Sequence, residues 1–161
     1  MSNIRLIGLE SIKMGPTVAS LVTIQYIVPD SAHIVLNAPS IADLFCEETE
    51  YPDVQLITAG KKTIEFATRD MGVSIMENAF GGTASLTTMW TAPVTAIVIS
   101  ERAFEIISKK INGKQLKFVI KRASLYAGAE LKFAKTESGQ ITFSADVLMP
   151  ATGAPIVMTV Q

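Results

Sequence analysis

Few side chains in this sequence are suited to chemistry, and their spacing does little to bring them together. The chain has one histidine, His33, and one cysteine, Cys46. A hydrolase needs a nucleophile and a base that can meet. His33 stands beside Ile34 and Val35, as a packing or surface residue would. Cys46 is followed by Glu47 and Glu48, whose charges disfavour the thiolate that would attack a substrate or bind a metal. Glu47, Glu50 and Asp53 could converge as the paired carboxylates of a glycoside hydrolase. A run of acids reads more simply as a solvated face. There is no nucleophile elbow, His-Glu-x-x-His pair, glycine-rich dinucleotide turn or calcium loop. Gly60-Lys61 is not a phosphate loop, because the residue five positions before Gly60 is Gln55 rather than glycine. A single cysteine excludes an internal disulfide framework and a multi-cysteine zinc site. No catalytic residue, cofactor or metal is expected, and the chain is read as a non-enzyme.

The elements that would carry these residues are mostly strands, arranged around one helix. From Met71 to Phe80 the apolar residues Met71, Val73, Ile75, Met76, Ala79 and Phe80 share one broad arc, with Ser74, Glu77 and Asn78 opposite. This spacing predicts an amphipathic helix over about 70–80, started by Thr68 or Asp70 and stopped at Gly81. Gly72 would lie in its apolar arc and allow close approach to a sheet.

Strands are expected on either side. Leu21–Val28 and His33–Asn37 are rich in β-branched and aromatic residues and flank Pro29-Asp30. Val54–Thr58 and Thr63–Ala67 read as a hairpin around Ala59-Gly60-Lys61-Lys62, with Ile41–Asp53 as an acidic surface loop. Gly82–Thr88 reads as a loop and Val94–Ser100 as a strand. Residues 101–111 fit both a helix and a strand; strand is chosen because Asn112-Gly113, a strong hairpin signal, follows. Around Ser138-Gly139, Glu130–Lys135 and Gln140–Val147 alternate, and Ile156–Val160 closes the chain. The expected fold is mainly β, two packed antiparallel sheets forming a sandwich or barrel, with one flanking helix. It is read as a single domain over 1–161, with 1–15 a candidate N-terminal arm and 39–62 a long loop or hairpin.

At 161 residues the chain can bury a substantial core. It is 48% hydrophobic with a mean hydropathy of +0.35, yet no run reaches the ~20 residues that span a bilayer, so a subunit interface is the ordinary destination for that surface. A cytosolic origin is expected, since no signal-peptide pattern is seen at the start. A net charge of −1 argues against a free-standing nucleic-acid binder. The charges are segregated. Asp30, Asp43, Glu47, Glu48, Glu50 and Asp53 fall in a stretch without Lys or Arg, whereas Lys109, Lys110, Lys114, Lys117 and Lys121 crowd a later one. The two segments are complementary, within one subunit or between neighbours.

From Thr63 onward the order of features resembles the major tail tube proteins of tailed bacteriophages. The residues that carry the likeness are the strand TIEFATRD, the helix MGVSIMENAFGG with its paired glycines, the Trp90–Pro93 segment WTAP, the Asn112-Gly113-Lys114 hairpin and the closing ITFSADVLMPATGAPI. The resemblance implies a structural virion subunit that forms hexameric rings stacked into a tail tube, assembled in the host bacterial cytoplasm. Genomic DNA would pass through without specific binding. Tape-measure, tail-terminator and baseplate or tip proteins would be partners, with a sheath protein if the tail contracts, and no membrane would be engaged. It further implies that Asp43, Glu47, Glu48, Glu50, Asp53, Lys61 and Lys62 contact the lumen or the next ring. Lys109, Lys110, Lys114, Lys117 and Lys121 would form a basic inter-subunit face. Two alternatives remain open, the inner tube of a contractile bacteriocin or secretion apparatus and a monomeric β-barrel that binds a small ligand.

Overall fold

The computed structural model describes residue 6 and residues 8–45, 47, 50–52, 54–86, 88–95 and 100–161. Among these, the strands are β1 (Leu9–Gly15), β2 (Val22–Ile24), β3 (His33–Leu36), β4 (Ser40–Leu44), β5 (Val54–Thr58) and β6 (Lys62–Thr68) before the helix α1 (Val73–Phe80). After it come β7 (Thr83–Ser85), β8 (Met89–Thr91), β9 (Ser100–Ser108), β10 (Leu116–Phe133), β11 (Ser138–Val147) and β12 (Ile156–Val160). The chain is therefore mainly β with one flanking helix. Its main sheet runs β2-β1-β9-β10-β11-β6-β3, every neighbouring pair antiparallel, with β12 beside the first part of β10.

That array folds over on itself into two packed layers, and two features of β10 and β2 make it do so. At Lys121 and Arg122 the β9–β10 register shifts by one residue, a bulge that bends β10 while keeping Ile120, Ala123 and Leu125 on the core side. After β2 the chain crosses to the far end of the array. There Ile27 bridges Thr68, the Val28 N–H donates to the Ala67 carbonyl and the Arg69 N–H to that of Tyr26. The enclosed core is built from the alternating inward residues of facing strands. Phe143 pairs directly with Phe66, and their rings stack 4.7 Å apart; Phe104 meets Phe66 edge-on at 6.2 Å. Ile12, Met14, Ile64, Ile75, Ile120 and Ile141 fill the space around them.

The helix is shorter than its apolar arc predicts. Gly72 has extended backbone, φ −57° and ψ 147°, and is the residue before the first turn rather than part of it. Asp70 accepts from the Gly72 N–H at 2.9 Å, while Thr68 is drawn into the β2–β3 connection through its hydroxyl, so neither caps the first turn. Ile75 and Ala79 are buried under the helix. The stop at Gly81 falls where expected: its φ is +73° and its N–H donates to the Glu77 carbonyl. Trp90 donates from Nε1 to the Gly81 carbonyl, and Arg102 from Nε to that of Asn78, so two free carbonyls of the last turn are met from outside the helix. Burial holds the Arg102 guanidinium below its ordinary pKa, opposed by the nearby Glu77 charge. Gly82–Thr88, expected as a loop, contains β7, paired with β8 across Thr83↔Thr91. A Cβ at Gly82 would lie 2.1 Å from the Thr91 carbonyl oxygen, so only glycine fits.

The strand choice at 101–111 holds in β9, and Asn112 and Gly113 both take positive φ, +51° and +79°, as a two-residue hairpin turn requires. The expected Val94–Ser100 strand lies largely outside the described residues. Residues 9–15 of the candidate arm are β1, paired on both sides with β2 and β9. Ser138-Gly139 is not a turn but the start of β11, and β10 runs unbroken through Phe133.

One expected pairing is overturned. β5 and β6 do not form a hairpin with each other; β5 pairs with β4, and β6 with β3 and β11. The register explains why. His33↔Glu65 through Leu36↔Lys62 continues in step as Ser40↔Thr58 through Leu44↔Val54, so the β3–β6 and β4–β5 ladders share one register along a single two-stranded ribbon. Gly60 sits between the two ladders, where a Cβ would come 2.0 Å from the Asn37 carbonyl oxygen. The glycine that resembles a turn in sequence marks a close crossing of two backbones.

Candidate functional site

The outer half of that ribbon, β4 and β5, is the most unusual surface of the molecule. Every residue of both strands is exposed. Register places Ala42, Leu44, Val54 and Leu56 on one face, and the Ile41–Ile57 pair with Asp43 and Gln55 on the other. Leu56 is 53% exposed, Ile57 67%, and near the tip Phe45 is 62% and Tyr51 79%. A two-stranded ribbon in water is marginal even when one face is covered, and among the described residues the apolar side chains on both faces of this one stay roughly half exposed or more. Large exposed apolar patches on proteins are commonly interaction sites.

The acidic residues expected to act as contacts lie on this ribbon. Asp43 accepts a hydrogen bond from the directly opposite Gln55 at 2.9 Å, and Glu47 and Glu50 are exposed at the tip. Glu48, Asp53 and Cys46 lie outside the described residues. Lys61 and Lys62 stand at the base. Lys61 is bonded to Asp146 at 2.7 Å, which holds its ammonium above the ordinary pKa and ties the ribbon base to β11. Lys62 is exposed opposite Leu36.

The lysines grouped as one basic face are split in three. Lys109, Lys110 and Lys114 lie together, exposed, around the β9–β10 turn. Lys117 is turned to Glu105, which receives Lys117 and Lys13 at 2.8 Å each across three adjacent strands. The hydrogen bonds from Lys117 and Lys13 hold the Glu105 carboxyl below its ordinary range against the opposing effect of burial. Lys121, at the bulge, donates to the Thr152 carbonyl. Glu105 escapes sequence reading because its partners lie on β1 and β10, far along the chain.

A second ribbon and a cleft complete the picture. Past Ala129↔Ile141 the β10–β11 ladder leaves the core, and Leu131 and Phe133 are 57% and 98% exposed. Between the two layers lies a cleft of about 940 Å³ whose walls include Leu9, Ile27, Ile34, Leu36, Ile106 and Phe118. His33 is exposed on its rim, its Nε2 2.8 Å from Glu65. Among the described residues, no three His, Cys, Asp or Glu side chains gather as a metal site.

Compared with known proteins, the chain matches no family model and no curated relative. The class the geometry defines is a mainly-β protein with a two-stranded ribbon that carries exposed apolar residues on both faces.

Proposed function

We propose that the chain is a self-assembling structural subunit, and specifically a phage tail tube protein whose hexameric rings stack into the conduit for genome delivery. The observation that carries the self-assembly is the β4–β5 ribbon, all ten residues of which are exposed although apolar residues stand on both of its faces. Burial against neighbouring copies would supply what the isolated ribbon is missing. The step from assembly to tail tube rests on the sequence resemblance from Thr63 onward, and the ring number is drawn from it as well. Asp43, Glu47 and Glu50 on the ribbon suit a lumen or ring contact that does not hold DNA, since carboxylates repel phosphate. In this reading the protein works in the virion tail, with tape-measure, terminator and baseplate or tip proteins at the ends of the tube.

Negative-stain electron microscopy of the concentrated protein tests this, with sedimentation at low and high salt. Rings or hollow tubes of uniform diameter are expected. A particle that stays monomeric at every concentration, with a small molecule bound in the cleft, would replace this reading with a ligand-binding barrel.

A further inference from the structure

We infer that the cleft between the two layers binds an amphipathic organic cation, an alkyl or aryl-alkyl amine whose chain lies on the apolar floor and whose ammonium meets carboxylates of the wall. The inference goes beyond the assembly proposed above and does not depend on it.

The floor follows from strand pairing. Ile106 of β9 stands directly opposite Phe118 of β10, and with Leu9 and Ile27 they are only partly buried over the core and line open volume. Ile34 of β3 adds a further apolar wall. At about 940 Å³ the cleft has the size of a small-molecule site, and an apolar lining with a few polar groups is the usual make-up of one. An apolar chain laid over this floor gains roughly fourfold in affinity for each methylene it buries.

The polar groups select the sign of charge. Glu10, Asp30 and Glu65 line the cleft against one lysine, Lys109. His33 shares its Nε2 with Glu65 at 2.8 Å and adds no charge while neutral. Glu10 and Asp30 hold no hydrogen bond or ion pair among the described residues, so both carboxylates are free to accept from an ammonium. Tyr26 lines the cleft in the same connection as Asp30, 73% exposed, and a cation is attracted to the face of such a ring. An anion of equal length would meet the excess of carboxylates and be rejected.

The wall is built before any ligand arrives. Tyr26 and Asp30 both take positive φ, +51° and +59°, within the connection from β2 to β3. Hydrogen bonds fix that connection to β6 and the residue after it: the Arg69 N–H donates to the Tyr26 carbonyl, the Thr68 hydroxyl to that of Gln25, the Val28 N–H to that of Ala67, and the Ala67 N–H to the Ser31 hydroxyl. A positive φ is disfavoured for tyrosine, and it is kept here at a ring that the core does not use. A wall held in this way gives up little freedom when it is occupied, which favours binding.

The test titrates the full chain, at concentrations where it is dispersed, with decylammonium, 1-decanol and decyl sulfate below their micelle-forming concentrations. Calorimetry measures affinity, and methyl NMR locates the site. Decylammonium should saturate a single site at least tenfold more tightly than decyl sulfate, shifting the methyls of Ile27, Ile34 and Ile106, and its affinity should rise roughly fourfold per methylene from hexylammonium upward. Glu10→Gln/Asp30→Asn should weaken decylammonium by about tenfold and leave decanol unchanged; asparagine tolerates the positive φ of residue 30, so the fold should be kept. Equal affinity for the three probes, or a double variant that binds the amine as wild type does, would overturn the inference. Shifts confined to Ile41 and Ile57 would place the alkyl chain on the ribbon and overturn it too, and loss of the amine on assembly would show that a second copy fills the cleft. Wild type that binds the amine but never assembles would leave this inference standing and remove the assembly reading; wild type that assembles and ignores the amine would do the reverse.

Discussion

The ribbon's Ile41–Ile57 pair is where the proposed self-assembly makes its sharpest quantitative demand. In the isolated subunit the two residues face each other across β4 and β5, 58% and 67% exposed. Full burial of one such side chain is worth about 1.5–3 kcal/mol, so roughly 0.5–1.2 kcal/mol per residue is realised within the subunit and about 1–2 kcal/mol remains for an interface. Ile41→Ser/Ile57→Ser should then remove about 2–4 kcal/mol per contact, which is roughly 30-fold to 1,000-fold in the association constant. The folded subunit should lose only about 1–2.4 kcal/mol, a fall in Tm of roughly 2–10 °C. Sedimentation velocity over a concentration series reads the first quantity, and thermal melting at concentrations where wild type is dispersed reads the second. A folded variant that assembles at the wild-type concentration would refute the argument. So would a variant that fails to fold, since that would place the pair in the subunit's own core, contrary to its exposure.

Two further outcomes test the interior. Glu105→Gln should destabilise the subunit by about 1–3 kcal/mol at neutral pH by loosening two part-buried lysine bonds. Because the Glu105 pKa is lowered on folding, its contribution is present above the unfolded value near 4.5 and is lost as pH falls through the lower folded value; denaturation curves across that acid range should converge for wild type and variant. Trp90→Phe should lower stability by about 0.5–1.5 kcal/mol, through loss of the hydrogen bond to the Gly81 carbonyl, as read by denaturant unfolding followed by circular dichroism.

Local patterns in the sequence reach far into this fold, and they fail where distant pairing takes over. Gln140–Val147 alternates because it packs one face only, and Asn112-Gly113 has the turn chemistry its conformation needs, so both are legible from neighbours a few residues away. The same turn decides that Ser100–Ser108 is a strand. Gly60 misleads, since a glycine admitting a close backbone crossing looks the same in sequence as one that makes a turn. The acidic tip draws attention away from Ile41, Leu44, Leu56 and Ile57, whose alternation would have revealed a ribbon with apolar residues on both faces. Lys117 reads as surface charge because its partner Glu105 is fixed by strand order, which no local window contains. Tyr26 is silent in sequence: nothing in its type signals a positive φ.

The central claim, that the β4–β5 ribbon is completed by other copies of the chain, is tested most directly by amide hydrogen exchange measured on dispersed and assembled protein. The account predicts that amides of Ser40–Leu44 and Val54–Thr58 exchange quickly when subunits are dispersed, as a marginal two-stranded ribbon should, and become protected by about a hundredfold or more on assembly, while the Phe66, Phe104 and Phe143 strands are protected in both. Assemblies in which the ribbon amides exchange as fast as in the dispersed subunit would contradict it.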